Sequence, residues 1–226
     1  MKLTAEKVSR SFRRGDREFL AVQNADLTLE SGRLIVLEGR SGSGKTTLLN
    51  ILAGLQAPSS GRVLADSAQA AGTESDLYGM EDSELSRFRN DHFGIMPQGQ
   101  SAVAVLTVLE NIVLPATIYG QDDQACQKAL DLMEKMGITD LKDVYPKELS
   151  GGEMRRMAIA RALVRKPEIL FADEPTGDLD DASTRDVLLA LRECAEKGTA
   201  VLTVTHEEDA FEYADRIFAM NAGKLE

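Results

Sequence analysis

The fold is decided by the octet Gly39-Arg40-Ser41-Gly42-Ser43-Gly44-Lys45-Thr46. The octet fits the phosphate-binding pattern G-x-x-x-x-G-K-S/T, and it lies between the aliphatic run 34–37 and the helical stretch 47–53. Its three glycines let consecutive backbone N–H groups point at one centre, and the following helix adds its unpaired N-terminal donors. The alternative is a glycine-rich turn that binds nothing. Because the pattern is complete and its context is strand, loop and helix, we predict an anion site.

The two residues that close the octet have the chemistry of a nucleotide site. Lys45 can reach the β- and γ-phosphates as a point charge. The Thr46 hydroxyl can bind Mg²⁺, which prefers oxygen ligands and shares them with phosphate and water. A nucleotide with Mg²⁺ is therefore the predicted ligand.

Two carboxylates follow the aliphatic run 169–172. In an α/β sheet the ligand crevice lies at the carboxyl ends of the strands, so Asp173 and Glu174 are expected near Lys45 and Thr46. Asp173 is suited to the Mg²⁺ shell. Glu174 is suited to accept a proton from an attacking water or to hold that water in line. A strand that ends in solvated acids is the alternative, and the phosphate loop makes it the weaker one.

Composition limits the classes of function. The chain has 226 residues, enough for one large core but short for two independent domains. Its net charge of -11 and the lack of basic runs interleaved with aromatics argue against nucleic-acid binding. No apolar stretch approaches the ~18 residues of a membrane span, and we expect a soluble protein inside the cell. Cys126 and Cys194 are expected to be reduced thiols.

The periodicity of the chain predicts an α/β fold. Alternating stretches at 3–8 and 19–29, separated by the turn 13–17, predict antiparallel strands, and residues 67–78 predict an exposed loop. The other predicted elements are helices 82–90, 107–116, 122–136, 152–164 and 182–196, strands 62–65, 93–96, 169–172, 200–204 and 217–220, and a short helix after 206. Their alternation predicts a parallel sheet with helices on both faces and a helical insertion in the middle.

A second helix N-terminus could also receive phosphate. The small-residue stretch 149–153 precedes an amphipathic helix, and a phosphate there would belong to another molecule's nucleotide, since this chain has one phosphate loop. The alternative is a capping turn, because Ser150 and Glu153 have the spacing of a capping box. The two interpretations are compatible.

Together these motifs resemble the nucleotide-binding subunit of ABC (ATP-binding cassette) transporters over essentially the whole chain. The motifs are the octet, Gln98, 149–153, Asp173-Glu174, 178–180 and 205–207. The resemblance implies a P-loop NTPase (RecA-like) core with an N-terminal antiparallel β subdomain and an inserted α-helical subdomain. It places a single ABC ATPase domain at 1–226, with 1–95 and 156–226 as the core and 96–155 as the insertion.

The resemblance also implies a role for each matching residue. Glu174, His206, Gln98 and Lys45 would be catalytic, with His206 as the switch histidine. Phe12 would stack on adenine, although packing is the alternative for a lone aromatic. The implied metal ligands are Thr46, Gln98 and Asp173. The implied ATP contacts are Phe12, Gly39, Arg40, Ser41, Gly42, Ser43, Gly44, Lys45, Thr46, Thr47, Ser150, Gly151, Gly152, Glu153 and Asp180.

The implied partners are a second copy and a membrane protein. The resemblance implies a head-to-tail homodimer with two ATP molecules at its interface, and an integral membrane permease that holds it at the cytoplasmic face of the membrane. The stretches 88–98, 106–115 and 145–149 look like the subgroup for lipoprotein release, macrolide export, peptide-antibiotic resistance and cell division. Pro97 departs from that subgroup's aromatic, which leaves the permease's identity open. A soluble ABC ATPase acting as an iron–sulfur assembly scaffold is the alternative function.

Two smaller expectations complete the sequence-based predictions. The apolar stretch 102–106 beside Gln98 is a candidate docking surface, with burial in the lobe's own core as the alternative. His92 lies in a charged stretch and is expected at the surface.

Overall fold

The computed structural model describes residues 1–15, 17–66, 74–99, 101–120, 123–177 and 179–226. Parts of four predictions lie outside these residues: Asp16 in the turn, 67–73 of the loop, Asp122 at a helix start, and Asp178 in the motif 178–180. Within the described ranges, no helix is both long and apolar enough to cross a bilayer.

The strands form two sheets. One is antiparallel, in the order β2-β1-β4-β5. The other has the order β10-β9-β3-β8-β7-β6 and is parallel from β9 to β6, with β10 antiparallel at its edge. The strands are β1 (Lys2–Arg14), β2 (Arg17–Glu30), β3 (Leu34–Glu38), β4 (Ser60–Asp66), β5 (Ser75–Asp76), β6 (Phe93–Met96), β7 (Ile169–Asp173), β8 (Ala200–Val204), β9 (Arg216–Asn221) and β10 (Lys224–Leu225).

Each predicted helix forms. They are α1 (Lys45–Leu52), α2 (Asp82–His92), α3 (Val108–Thr117), α4 (Ala125–Lys135), α5 (Gly151–Leu163) and α6 (Asp181–Glu196). The short helix expected after His206 is a 3₁₀ helix at Glu208–Tyr213. The predicted α/β class is confirmed, and β1 runs further than its predicted range 3–8.

The central strands of the parallel sheet are buried on both faces, which explains their near-continuous aliphatic character. Every residue of β7 and β8 is buried. Ile169 and Phe171 pack in one apolar cluster with α1 and the antiparallel sheet, whereas Leu170 and Ala172 pack in a second cluster with α5 and α6. Successive strand residues point to opposite faces, so both faces need apolar side chains. The carboxyl ends of the neighbouring strands β3, β8 and β7 lie together at the same end of the sheet.

A third apolar cluster joins α3, α4 and α5 into the helical lobe. Its buried members include Ile112 of α3, Met133 of α4 and Met157 of α5. Capping boxes at Thr107 and Ser150 begin α3 and α5. The division of the chain at residues 96 and 155 stays a prediction, and α5 runs across the second boundary.

The expectation of an exposed loop at 67–78 is wrong for its described part. The short strand β5 pairs with β4, and Leu77 is fully buried. The Tyr78 hydroxyl lies 2.6 Å from the carbonyl oxygens of Ile51 and Gln56. These contacts fasten residues 75–78 to the end of α1, and the short, weakly patterned segment carried no periodicity from which to predict them.

The expectation that His92 lies at the surface is also wrong. Its ring packs on Phe88 with centroids 4.5 Å apart, and its Nδ1 lies 2.8 Å from a Glu168 carboxylate oxygen. Its neighbour Asp91 faces solvent, while the histidine itself ends α2 against the core. His92 is therefore a structural contact between α2 and the start of β7.

Asp215 ties the first parallel strand to α6. Its carboxylate accepts hydrogen bonds from the Leu34 amide at 2.8 Å, from Arg192 Nη1 at 2.8 Å and from Arg33 Nη1 at 3.1 Å. Burial opposes the charged form, but these hydrogen bonds outweigh it and hold the pKa of Asp215 below its usual range.

Candidate nucleotide-binding site

The phosphate loop lies between β3 and α1, and the backbones of β2 and β9 pack closely against it. Gly39 and Gly44 have φ of 145° and 110°, in the region that favours glycine. A Cβ at Gly44 would lie 2.0 Å from the Ala21 carbonyl oxygen, and one at Gly39 would lie 2.3 Å from the Met220 carbonyl oxygen. Only glycine fits either position. Strands β2 and β9 thus set the shape of the loop.

The polar groups of the loop are arranged around its centre. Lys45 is buried, and its Nζ donates hydrogen bonds to the carbonyl oxygens of Gly39 at 2.7 Å and Arg40 at 3.3 Å. The buried Ser43 Oγ has no hydrogen-bond partner among the described residues. A buried cation held only by loop carbonyls and an unpartnered hydroxyl are both suited to an anionic ligand.

Thr46 and Asp173 meet at the edge of the sheet, as predicted. The Thr46 hydroxyl donates to Asp173 Oδ1 at 3.2 Å. Burial raises the pKa of Asp173, and the Glu174 charge adds to this, while the Thr46 hydrogen bond and the Lys45 charge act in the opposite direction. A hydroxyl and a buried carboxylate side by side are hard oxygen donors, so this pair fits Mg²⁺.

Glu174 adopts an uncommon backbone conformation that aims its side chain. Its φ is 48°, and its amide donates to the Val204 carbonyl oxygen at 2.8 Å. One carboxylate oxygen lies 3.0 Å from His206 Nδ1. The Glu174 side chain is 12% exposed and that of His206 is 64% exposed. The carboxylate is therefore held inside the site while the imidazole reaches it from the solvent side.

A second contact joins the same two loops, and sequence reasoning missed it. The buried Thr176 hydroxyl donates to a carboxylate oxygen of Glu207, and the Glu207 amide donates to Thr205 Oγ1 at 3.1 Å. These bonds run beside the Glu174–His206 pair and fix the loop after β7 to the loop after β8. The position of Glu207 next to His206 in the motif 205–207 was the available signal.

One cavity of about 1040 Å³ gathers most of the predicted site residues. Its lining includes Phe12, Arg40, Ser41, Gly42, Gly44, Lys45, Thr46, Thr47, Gln98, Glu174 and His206. Glu207 and Arg155 also line it and were not predicted. Arg155 Nη1 donates to the Gly99 carbonyl oxygen at 3.2 Å, which ties α5 to the segment after Gln98.

Two aromatic rings, not one, form the outer wall of this cavity. Phe12 and Phe19 pair directly across the β1–β2 hairpin, with ring centroids 5.7 Å apart and an angle of 25° between the planes. The Arg10 guanidinium lies 5.0 Å from the Phe12 centroid. Phe19 is the more exposed ring and was not predicted. The turn predicted at 13–17 brings Phe12 and Phe19 to facing strands, but the sequence pattern does not give the register that pairs them.

Comparison with known proteins identifies the family. Residues 22–177 match the family described as ABC transporter. The chain belongs to this family. The macrolide export ATP-binding/permease protein MacB of Burkholderia thailandensis is 37% identical over 99% of this chain and 33% of its own length. The lipoprotein-releasing system ATP-binding protein LolD of Shewanella frigidimarina is 38% identical over 99% of this chain and 92% of its own length. The expected subgroup is confirmed.

Solved structures of ABC cassettes have the same fold. The dimeric cassette MJ0796 has a TM-score of 0.90 at 30% identity, and the alignment covers 99% of this chain and 96% of that one. Its post-hydrolysis state, bound to ADP and phosphate, has a TM-score of 0.89. The chain is thus an ABC-type ATPase cassette. It spans about a third of the length of the export ATP-binding/permease relatives that it matches.

Five other predicted ATP contacts, Ser150 to Glu153 and Asp180, do not line this cavity. Ser150 and Glu153 form the expected capping box, with the Ser150 amide and hydroxyl both 2.7 Å from Glu153 Oε2. Asp180 caps α6 by accepting from Ser183 Oγ and the Ser183 amide, each at 2.9 Å. A Cβ at Gly152 would lie 2.8 Å from Ser183 Oγ. In the described residues, the stretch 150–153 and Asp180 therefore form a separate surface.

Proposed function

We propose that this chain hydrolyses ATP as one half of a head-to-tail dimer and passes the resulting motion to a membrane permease. The observation that carries the proposal is the convergence of Lys45, Thr46, Glu174 and His206 in one cavity, with Asp173 bonded to Thr46. ATP seated there would have its triphosphate on the phosphate loop and its adenine against the aromatic pair of the hairpin.

The loop residues bind and neutralise the triphosphate. Lys45 would exchange its bonds to loop carbonyls for the β- and γ-phosphate oxygens, a charge-assisted contact in a buried setting. Mg²⁺ held by Thr46, Asp173 and Gln98 would add charge neutralisation at the same oxygens. The backbone N–H groups of the loop and the start of α1 complete the anion site.

Glu174 and His206 act on the attacking water. The Glu174 carboxylate is fixed by its backbone conformation and by the contact with His206, so it can hold a water or accept its proton. Phosphoryl transfer depends mostly on positioning and on charge stabilisation. His206 would keep the carboxylate in place beside the departing phosphate.

The second surface completes the site of another copy. Ser150, Gly151 and Gly152 present the N-terminus of α5 away from the cavity, and Asp180 stands beside them at the start of α6. In a head-to-tail dimer each copy would place this surface over the partner's γ-phosphate. The dimeric state of the similar cassette MJ0796 supports this arrangement.

The stretch 102–106 supports docking to a permease. Val103 is 38% exposed and Val105 is 80% exposed, whereas Ala102 packs against the lobe's own core. The middle of the stretch is therefore open to a partner.

Ile118 and Tyr119 are exposed at the end of α3 and line a shallow groove with α2 and β6. Arg161 lines this groove and donates to the Ser101 carbonyl oxygen at 2.8 Å, so the groove adjoins the start of the stretch. Exposed apolar side chains grouped in this way suit an interface. The names of the relatives favour a permease over the iron–sulfur scaffold, and we place the cassette at the cytoplasmic face of the membrane.

The dimer and the role of Glu174 can be tested together. Glu174→Gln should bind ATP, lower turnover at least about 100-fold and sediment as a dimer in analytical ultracentrifugation when ATP and Mg²⁺ are present. The matched control adds Lys45→Ala to the same chain, which should prevent ATP binding and leave a monomer. A Glu174→Gln chain that binds ATP and stays monomeric at high concentration rules out the dimer.

Docking needs its own experiment. The chain is co-expressed with candidate permeases, and Val103→Glu should release it from membranes while its basal ATP hydrolysis is unchanged. Ile217→Glu is the control, because Ile217 is 44% exposed and lies on β9, which three strands separate from β6. Equal release of both variants, or of neither, contradicts the docking surface.

A further inference from the structure

A second cavity, of about 850 Å³, opens where the helical lobe meets α6. Its walls come from the end of α4, the connection between α5 and β7, and the C-terminal half of α6. None of its described lining residues lines the nucleotide cavity. Its volume falls within the range of about 300–1,000 Å³ that is typical of small-molecule sites.

One side of this cavity is apolar. Leu132 and Met136 contribute from α4 and its end, Leu163 from α5, and Leu189 and Cys194 from α6. Leu189 is 44% exposed, so its side chain is accessible to a ligand in this cavity. Burial raises the pKa of the Cys194 thiol to about 11, so this side adds no charge at neutral pH.

Two of the acids in the cavity already have cationic partners. Glu193 pairs with Lys197 at 2.8 Å. Glu168 pairs with the Met1 amine at 3.0 Å and lies 2.8 Å from His92 Nδ1. Neither carboxylate is therefore available to neutralise the other cations of the lining.

The remaining charges leave the cavity positive. Among the described residues, Lys135, Arg156 and Lys166 have no ion-pair contact, and Asp186 is the one other acid of the lining. Glu153, outside the lining, acts on Arg156 only through its charge at longer range. The buried Arg156 Nε also lacks a hydrogen-bond acceptor. An excess of positive charge is notable because the chain carries -11 overall. A guanidinium with unused donors beside two lysines is suited to carboxylate or phosphate.

We infer that this cavity binds a small amphipathic anion, with a carboxylate or phosphate head at Arg156 and Lys166 and an apolar tail along Leu132 and Leu189. The positive side matches the head of such a molecule, and the apolar side matches its tail. A ligand with only one of these parts would leave the other side of the cavity unused. The tail would replace water against Leu189, and the head would give the Arg156 donors their acceptor.

A ligand in the cavity would affect the surface formed by 150–153 and Asp180, because α5 connects the two. Arg156 Nη1 lies 3.4 Å from the position of a Cβ at Gly152, which is two residues from Ser150. A ligand that holds Arg156 therefore acts next to the contacts assigned to the partner's ATP. This consequence rests on the proposed function, whereas binding itself does not.

The test uses dodecyl phosphate below its micellar concentration and the full chain saturated with ADP. Isothermal titration calorimetry should show one site, with Leu189→Glu weakening it at least about tenfold, since a carboxylate would repel the head and displace the tail. Lys166→Glu should weaken it as well. Leu55→Glu should bind like the wild type, and thermal melts should show all variants folded.

Three further arms separate the sources of binding. Dodecyl maltoside, with the same tail and a neutral head, and inorganic phosphate, with no tail, should each bind at least about tenfold more weakly. Equal binding of either, competition by ADP, or unchanged binding to Leu189→Glu overturns the inference. Dodecyl phosphate should also change ATP turnover of the wild type by about fivefold and leave Leu189→Glu unaffected. Tight binding with unchanged turnover would refute the proposed effect through α5, while it would support the cavity as a binding site.

Discussion

Replacing Asn111 by Ala should loosen the stretch that we propose docks the permease. Asn111 is fully buried in α3. Its Oδ1 accepts from the Val103 amide at 2.8 Å, and its Nδ2 lies within hydrogen-bond distance of the carbonyl oxygens of Val103, Leu106 and Thr107 at 3.1, 3.0 and 2.9 Å. One amide side chain thus holds both ends of the loop that precedes α3.

The magnitude follows from the number of bonds. Nδ2 has two hydrogens to share among three carbonyls, so the side chain makes about three hydrogen bonds in all. At about 1 kcal/mol each, the free energy of unfolding should fall by about 3 kcal/mol. For a chain of this size that is about 6–12 °C in Tm. The backbone groups released from Asn111 lie near the surface and can hydrogen-bond to water instead. The free energy of unfolding should therefore fall no further than this.

The assay is a thermal melt together with hydrogen exchange at the Val103 amide. Thr117→Ala is the control, since the exposed Thr117 hydroxyl makes one local bond to the Leu114 carbonyl oxygen and its loss should cost less than about 0.5 kcal/mol. Asn111→Ala should exchange faster at Val103, lose stimulation by the permease and keep basal ATP hydrolysis. An unchanged Tm with slow exchange at Val103 would refute the reasoning.

Three other outcomes are expected. Phe12→Ala and Phe19→Ala should each weaken ATP binding about two- to tenfold in calorimetry, because an aromatic stack contributes about 0.5–1.5 kcal/mol. Gly44→Ala should abolish nucleotide binding and lower Tm, since its Cβ would overlap the Ala21 carbonyl; unchanged binding would show that the loop can shift. Asp215→Asn should be less stable than the wild type at neutral pH. The wild-type pKa is lowered by folding, so that difference should shrink as pH falls below about 4 and through the folded pKa, which melts across the pH series would measure.

The α/β core and most of the site could be predicted because their signals are local or periodic. The octet 39–46 carries its own geometry, and Asp173 and Glu174 lie where any parallel strand would bring them. Buried strands such as 169–172 and 200–204 are short, aliphatic and bounded by turns, so their limits are close to those predicted. The capping box of Ser150 and Glu153 follows from spacing alone.

Other contacts depend on chain segments that the sequence does not relate to each other. The Thr176–Glu207 bond joins two loops whose meeting depends on strand order, and Phe19 gains its role from its register opposite Phe12. The charged stretch around His92 suggested a surface position, yet the histidine lies at the end of α2 and contacts Glu168. Periodicity describes one element at a time and cannot supply such pairings.

The hairpin between β9 and β10 has a consequence for biosynthesis. Gly223 donates to the Ser43 carbonyl oxygen at 2.9 Å and accepts from the Gln23 amide at 2.7 Å, and the Gln23 side chain donates to Ala222 across 199 residues of chain. The phosphate loop is synthesised early, but the backbone that braces it emerges from the ribosome late. A nascent chain therefore lacks this brace on its phosphate loop until the hairpin has been translated. The last residues of the fold to be synthesised thus hold one of the first parts of the nucleotide site in place.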